Sequence, residues 1–107
     1  DETSSGTISY ASSVVPGGST SRSFGAAEDG MATITMESFA PAGVAALGLA
    51  VGFLRNDSTG CEVSVAYVAT RGAQYSVPVD AGRYCVKIFD PGTLTELTTF
   101  SLKILHP

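Results

Sequence analysis

Between residues 45 and 54 the chain alternates large and small side chains with a period of two. Leu47, Leu49, Val51 and Phe53 fall on one side; Ala46, Gly48, Ala50 and Gly52 fall on the other. Successive side chains of a strand point to opposite faces, whereas a helix needs apolar spacings of three and four. The segment therefore reads as a strand with its large residues inward. The small residues opposite them leave room for another backbone to approach closely. The apolar run 40–54 is interrupted by Pro41, Gly43, Gly48 and Gly52. It also falls short of the ~20 residues that a bilayer-spanning helix needs, so no membrane span is expected.

The same period recurs along the chain. After a short run at 20–24 and a polar turn at 26–30, Ala32, Ile34, Met36 and Ser38 share one face, with Met31, Thr33, Thr35 and Glu37 opposite. Val63, Val65 and Tyr67 alternate with Glu62, Ser64 and Ala66. Tyr75, Val77 and Val79 form another apolar face, and Pro78 marks an edge or a strand end. Tyr84, Val86 and Ile88 point inward against Cys85, Lys87 and Phe89, and Phe100, Leu102 and Ile104 close the pattern. Residues 55–60, 80–82 and 90–92 are built from turn formers. Seven or eight short strands at roughly 8–12-residue spacing indicate an all-β, antiparallel β-sandwich. Residues 1–18 are either a flexible leader or an edge strand over 7–15 stopped by Pro16, Gly17 and Gly18, and residues 19–107 carry the sandwich.

At 107 residues the chain is long enough for one domain with a real core. Hydrophobic residues make up 44% and charged residues 15%, against about 25% in an average domain, which excludes a disordered chain. The net charge of −4 and the lack of a Lys/Arg cluster exclude a nucleic-acid footprint, which needs a concentrated basic face. The opening residues DETSSG have neither a basic n-region nor an apolar h-region, so they are not expected to be a signal peptide. Cys61 and Cys85 could form a disulfide, remain a buried reduced pair, or supply half of a metal site. A metal site needs further ligands, and the only histidine is His106, next to the final Pro107. A disulfide is the expectation, and it implies an oxidising compartment: a secreted protein, extracellular or periplasmic.

Common catalysis finds little material. Nucleophilic chemistry needs a nucleophile, a positioned base and an orienting group, and His106 is the lone imidazole. Glu28, Asp29, Asp57, Asp80 and Asp90 all fall in turns, where carboxylates serve as local backbone acceptors rather than converging across a cleft. No enzyme activity, cofactor or metal site is expected. Asp57, Asp80 and Asp90 are the candidates should loop oxygens take calcium, although no run has the dense acidic spacing of a strong calcium loop. Asn56, Asp57 and Ser58 also match a glycosylation acceptor, as turn residues often do. Tyr67, Tyr75 and Tyr84 share the apolar parity of their strands and read as core rather than as a sugar platform. Phe89, with Lys87 beside it in the pattern, is the candidate contact surface if its ring faces outward.

The element Asp80-Ala81-Gly82-Arg83-Tyr84 looks like the tyrosine corner of immunoglobulin domains, but here the cysteine follows the tyrosine immediately. The wider pattern resembles the bacterial pre-peptidase C-terminal (PPC-like) domain. It is carried by Ser23-Phe24, the strand 32–37, LGLAVGFL at 47–54, VPVDAGRYCVKI at 77–88 and FSLKI at 100–104. The resemblance covers roughly residues 19–107. It implies a jelly-roll-like β-sandwich that serves as a non-catalytic module beside secreted enzymes, in some relatives binding calcium, collagen or polysaccharide. This chain differs in lacking their acidic calcium cluster, in its candidate disulfide, and in having no enzyme within these 107 residues. The expected function is accessory binding or adhesion to a protein or polysaccharide partner. A structural spacer or self-associating subunit is the alternative. A hydrolase is the rival class and would need a concave site with convergent polar groups.

Overall fold

Eight strands follow one another as β1 (Gly6–Val14), β2 (Ser19–Ala26), β3 (Gly30–Ala40), β4 (Leu47–Leu54), β5 (Cys61–Ala69), β6 (Gln74–Val79), β7 (Gly82–Phe89) and β8 (Thr98–His106). The computed structural model describes residues 6–40, 43–54 and 61–107, and contains no helix among them. One sheet has the order β1-β8-β3-β6 and the other β2-β7-β4-β5, every pair antiparallel. This is the strand order of a jelly roll: the chain crosses between sheets at each connection except β4 to β5, which pair within one sheet. Residues 6–14 resolve as an edge strand, so the sandwich starts at Gly6 and is not confined to 19–107. Pro78 lies in β6, the edge opposite β1, where a missing N–H leaves no ladder bond unmade.

The inward parities meet as expected. Ala32, Ile34, Met36, Phe100, Leu102 and Ile104 from one sheet pack on Leu47, Leu49, Val51, Val86 and Ile88 from the other. Two readings are corrected. A bulge between Met36 and Ser38 reverses the parity of β3, so Ser38 points out to bond Ser101 Oγ at 2.8 Å and Phe39 turns in. Phe53 and Val63, placed on the inner face by alternation, are 43% and 44% exposed. Phe53 keeps the inner parity near the end of β4, whereas the bulge between Val51 and Gly52 sets Val63 opposite Gly52 and so turns it to the outer face. Ahead of β8, Leu94 is buried in the core and Leu97 is exposed.

The two long sides of the sandwich close differently. On the β5/β6 side, Tyr67 and Tyr75 stack with ring centroids 4.1 Å apart, and the Tyr75 hydroxyl donates to the Val68 carbonyl. On the β1/β2 side, the Tyr10 hydroxyl at the middle of β1 and the Thr20 hydroxyl at the start of β2 bond at 2.7 Å. Toward the β1–β2 turn, Asp90 fastens the seam. Its Oδ2 accepts the Gly17 N–H at 2.7 Å, and its Oδ1 accepts the N–H groups of Gly92, Thr93 and Leu94. Gly17 itself has φ +77°, a conformation that favours glycine. At the opposite end of this side the Ala27 N–H donates to the Pro107 carbonyl at 3.0 Å, joining the end of β2 to the residue after β8.

Candidate functional site

Cys61 and Cys85 form the expected disulfide, on the outer face of the second sheet. Their strands are not neighbours: β4 runs between β5 and β7. Next-but-one strands stand about 9.6 Å apart, yet the two Cα atoms are 5.8 Å apart. Gly52 permits this. It pairs with Cys85 on one side and Val63 on the other, and the bulge carries the β5 backbone over it. A Cβ at Gly52 would stand 2.0 Å from the Glu62 carbonyl oxygen. The close backbone approach expected of the small residues in this strand is therefore realised at Gly52. Gly48 makes a different allowance, for the Phe89 ring, which would lie 2.3 Å from a Cβ there.

Phe89 shares the outer parity with Cys85 and Lys87, but its ring is half-buried against Gly48. Lys87 pairs with Ala50 and Ser21 and is likewise half-buried. The loop carboxylates have backbone roles. Asp29 accepts the Ala81 N–H, and the Asp80 N–H donates to the Tyr84 hydroxyl at 2.8 Å, the contact that the tyrosine-corner pattern suggests. The four N–H donors, Gly17 foremost, hold the Asp90 carboxyl below the usual carboxylate range. Asp80 and Asp90 stand at opposite ends of β7, about 26 Å apart for an eight-residue strand, too far to share an ion. Asp57 and the glycosylation-like triplet lie outside the described residues. Among the described residues no three His, Cys, Asp or Glu side chains gather to hold a metal. No described helix is long and apolar enough to cross a membrane.

Between Tyr10 and the Ala27–Pro107 bond, the β1/β2 side holds a cleft of about 720 Å³. Ile8, Phe24, Ala26 and His106 form its apolar wall, and Arg22 and Arg83 stand at its mouth. Arg22 has the inward parity of Phe24 and Ala26, but it stands on edge strand β2 at the rim of the cleft and is exposed. Arg83 pairs with Gly25, which has no side chain to block it from the same mouth. His106 continues the inward series Phe100, Leu102, Ile104 and is 8% exposed. Its ring lies 6.0 Å from that of Phe24, and its Nδ1 is 3.2 Å from the Pro107 carbonyl.

No family model matches this sequence, and no curated protein matches it significantly. The cleft therefore has to be read from its own chemistry. Its volume falls within the roughly 300–1,000 Å³ of small-ligand sites. It joins an apolar floor to two cationic groups, an arrangement suited to holding a partly apolar anion. Sequence reasoning had not singled out Arg22, Arg83 or Ile8, and it considered His106 only as a catalytic base. A signal was nevertheless present: Arg22 and His106 are polar residues at core parity in their strands, and such positions mark where a core is open. A second hollow of about 520 Å³, lined by Val44, Ala46, Val68, Pro91, Leu94 and Glu96 among others, lies at the opposite end of the sandwich and contains no cation.

Proposed function

We propose that this domain is an exported, non-catalytic binding module that attaches to a protein or polysaccharide partner, in the manner of the PPC-like domains it resembles. The observation that carries the reading is the cleft between β1 and β2, where a jelly roll otherwise closed along its sides presents a concave, partly apolar surface with cationic groups at the rim. The jelly-roll strand order supports the resemblance, and the Cys61–Cys85 disulfide supports export, because such bonds persist in oxidising compartments. The test is retention of the oxidised domain on insoluble polysaccharides and on immobilised extracellular proteins. Saturable retention on any of them supports the reading. Absence of retention on every surface, or turnover of a polymer by the pure domain, overturns it.

A second reading has its own observation. Edge strand β5 exposes Val63 and Val68, the latter by 64%, beside the exposed Phe53. An apolar edge of this kind favours self-association. Light scattering across a concentration series decides between a monomeric binding module and a self-associating subunit.

A further inference from the structure

We infer that the β1/β2 cleft takes an extended acidic polypeptide, which adds as a strand to the free edge of β2. This rests on the binding-module reading and names the partner's chemistry. Three observations converge on it. First, β2 ends its sheet, so its edge away from β7 has no strand partner, and such an edge is a template for a further strand. Tyr10 covers this edge only as far as Thr20 and Ser21, which its hydroxyl contacts. Beyond that point, residues 22–26 border the cleft, up to Ala27, whose N–H donates to the Pro107 carbonyl.

Second, the charge at the mouth is unspent. Arg22 and Arg83 make no ion pair among the described residues, although Glu28, Asp29 and Asp80 lie in the adjoining turns. Asp29 is already engaged by the Ala81 N–H. With Lys87, the β2–β7 pair carries three of the six basic residues of a chain whose net charge is −4. This local excess of positive charge is complementary to carboxylates, and the arginine fork binds them with two parallel hydrogen bonds.

Third, the spacing suits a strand. Arg22 and Gly25, the partner of Arg83, are three residue steps apart along β2, about 10 Å, and face opposite sides of the sheet. Residues three apart in an added strand have the same spacing and the same change of face, so carboxylates at such positions meet Arg22 and Arg83. A residue between them, opposite Phe24, faces inward toward Ile8 and Ala26. The favoured sequence therefore carries acidic residues three apart with an aliphatic residue between them.

The probe is a fluorescein-labelled eight-residue Ser/Val peptide with Glu at its third and sixth positions (the Val/Glu peptide; Lys replaces Glu in its Val/Lys counterpart), titrated with the oxidised domain and read by anisotropy. Saturable binding is expected, weakening at least tenfold in R22E/R83E and lost when alternate backbone nitrogens of the peptide are methylated. R22E/R83E should instead prefer the Val/Lys peptide, which also shows that the variant is folded. No binding of the Val/Glu peptide, or binding unchanged in R22E/R83E, overturns the inference. Equal binding of the methylated peptide or of oligogalacturonate also overturns it, because either outcome shows an anion site without strand addition. Retention on another surface that R22E/R83E leaves intact removes this inference and keeps the binding-module reading. Failure of every probe and surface removes both.

Discussion

Removing the Cys61–Cys85 bond should lower stability by an amount that follows from chain length. The bond closes a loop of 25 residues, since its ends are 24 apart in sequence. In the chain-entropy model, closure removes about 11.7 cal/mol/K from the unfolded ensemble, or about 3.5 kcal/mol at 25 °C. An unfolding entropy of about 2.1 cal/mol/K per residue gives roughly 225 cal/mol/K for this chain, so Tm should fall by about 15 °C. Because the effect acts on the unfolded chain, the native circular dichroism spectrum should persist. The urea m-value should rise as the released chain exposes more surface on unfolding. Two forms test this: the wild type held reduced, which keeps both sulfurs in place, and C61A/C85A, which also loses the packing of buried Cys85. A loss below about 1 kcal/mol in the reduced wild type would refute the loop argument. So would a changed native spectrum, since it would place the effect in the folded state.

The remaining predictions concern the glycines and the turn clasps. Gly52→Ala forces a side chain onto the Glu62 backbone and should cost at least the 1–3 kcal/mol typical of overpacking, whatever stands at position 89. Gly48→Ala meets only the Phe89 ring, so its cost should largely vanish in a Phe89→Ala background, and a double-mutant cycle in urea separates the two cases. Tyr84→Phe leaves the Asp80 N–H without its acceptor and should cost about 1 kcal/mol in chemical denaturation. Asp90 has a depressed folded pKa, so its ionised form contributes stability that is fully present above the unfolded value of about 3.9 and is lost as pH falls through the lower folded value. The stability gap between wild type and Asp90→Asn should therefore stay constant above about pH 5 and shrink in the acid range below pH 4; a gap that is flat down to pH 2 would remove the clasp from the account.

Most of the strands can be read in the chain because their signal is local. Ala32, Ile34 and Met36, or Phe100, Leu102 and Ile104, are core by parity, and they are buried. Parity states which face a residue joins but not whether anything covers it, which is why Phe53 reads as inside and is exposed, while the bulge in the β4–β5 pair turns Val63 outward. A single extra residue in β3 exchanges Ser38 and Phe39, and no composition signal marks that slip. The candidate site was harder to see, because Ile8, Arg22, Arg83 and His106 come from four strands and span almost the whole chain.

By itself, the sequence determined an antiparallel all-β domain and made a Cys61–Cys85 disulfide the expectation, because side-chain alternation and cysteine number are properties of short segments and of counting. Only the tertiary structure decided that Gly17 and Asp90, 73 residues apart, fasten one end of the β1/β2 side, that Ala27 and Pro107 join the other, and that a cleft lies between. Strand order and the gap between two edge strands depend on how twisted sheets pack across the core. That packing sums contacts from the whole chain, so it leaves Arg22 at core parity and yet in water.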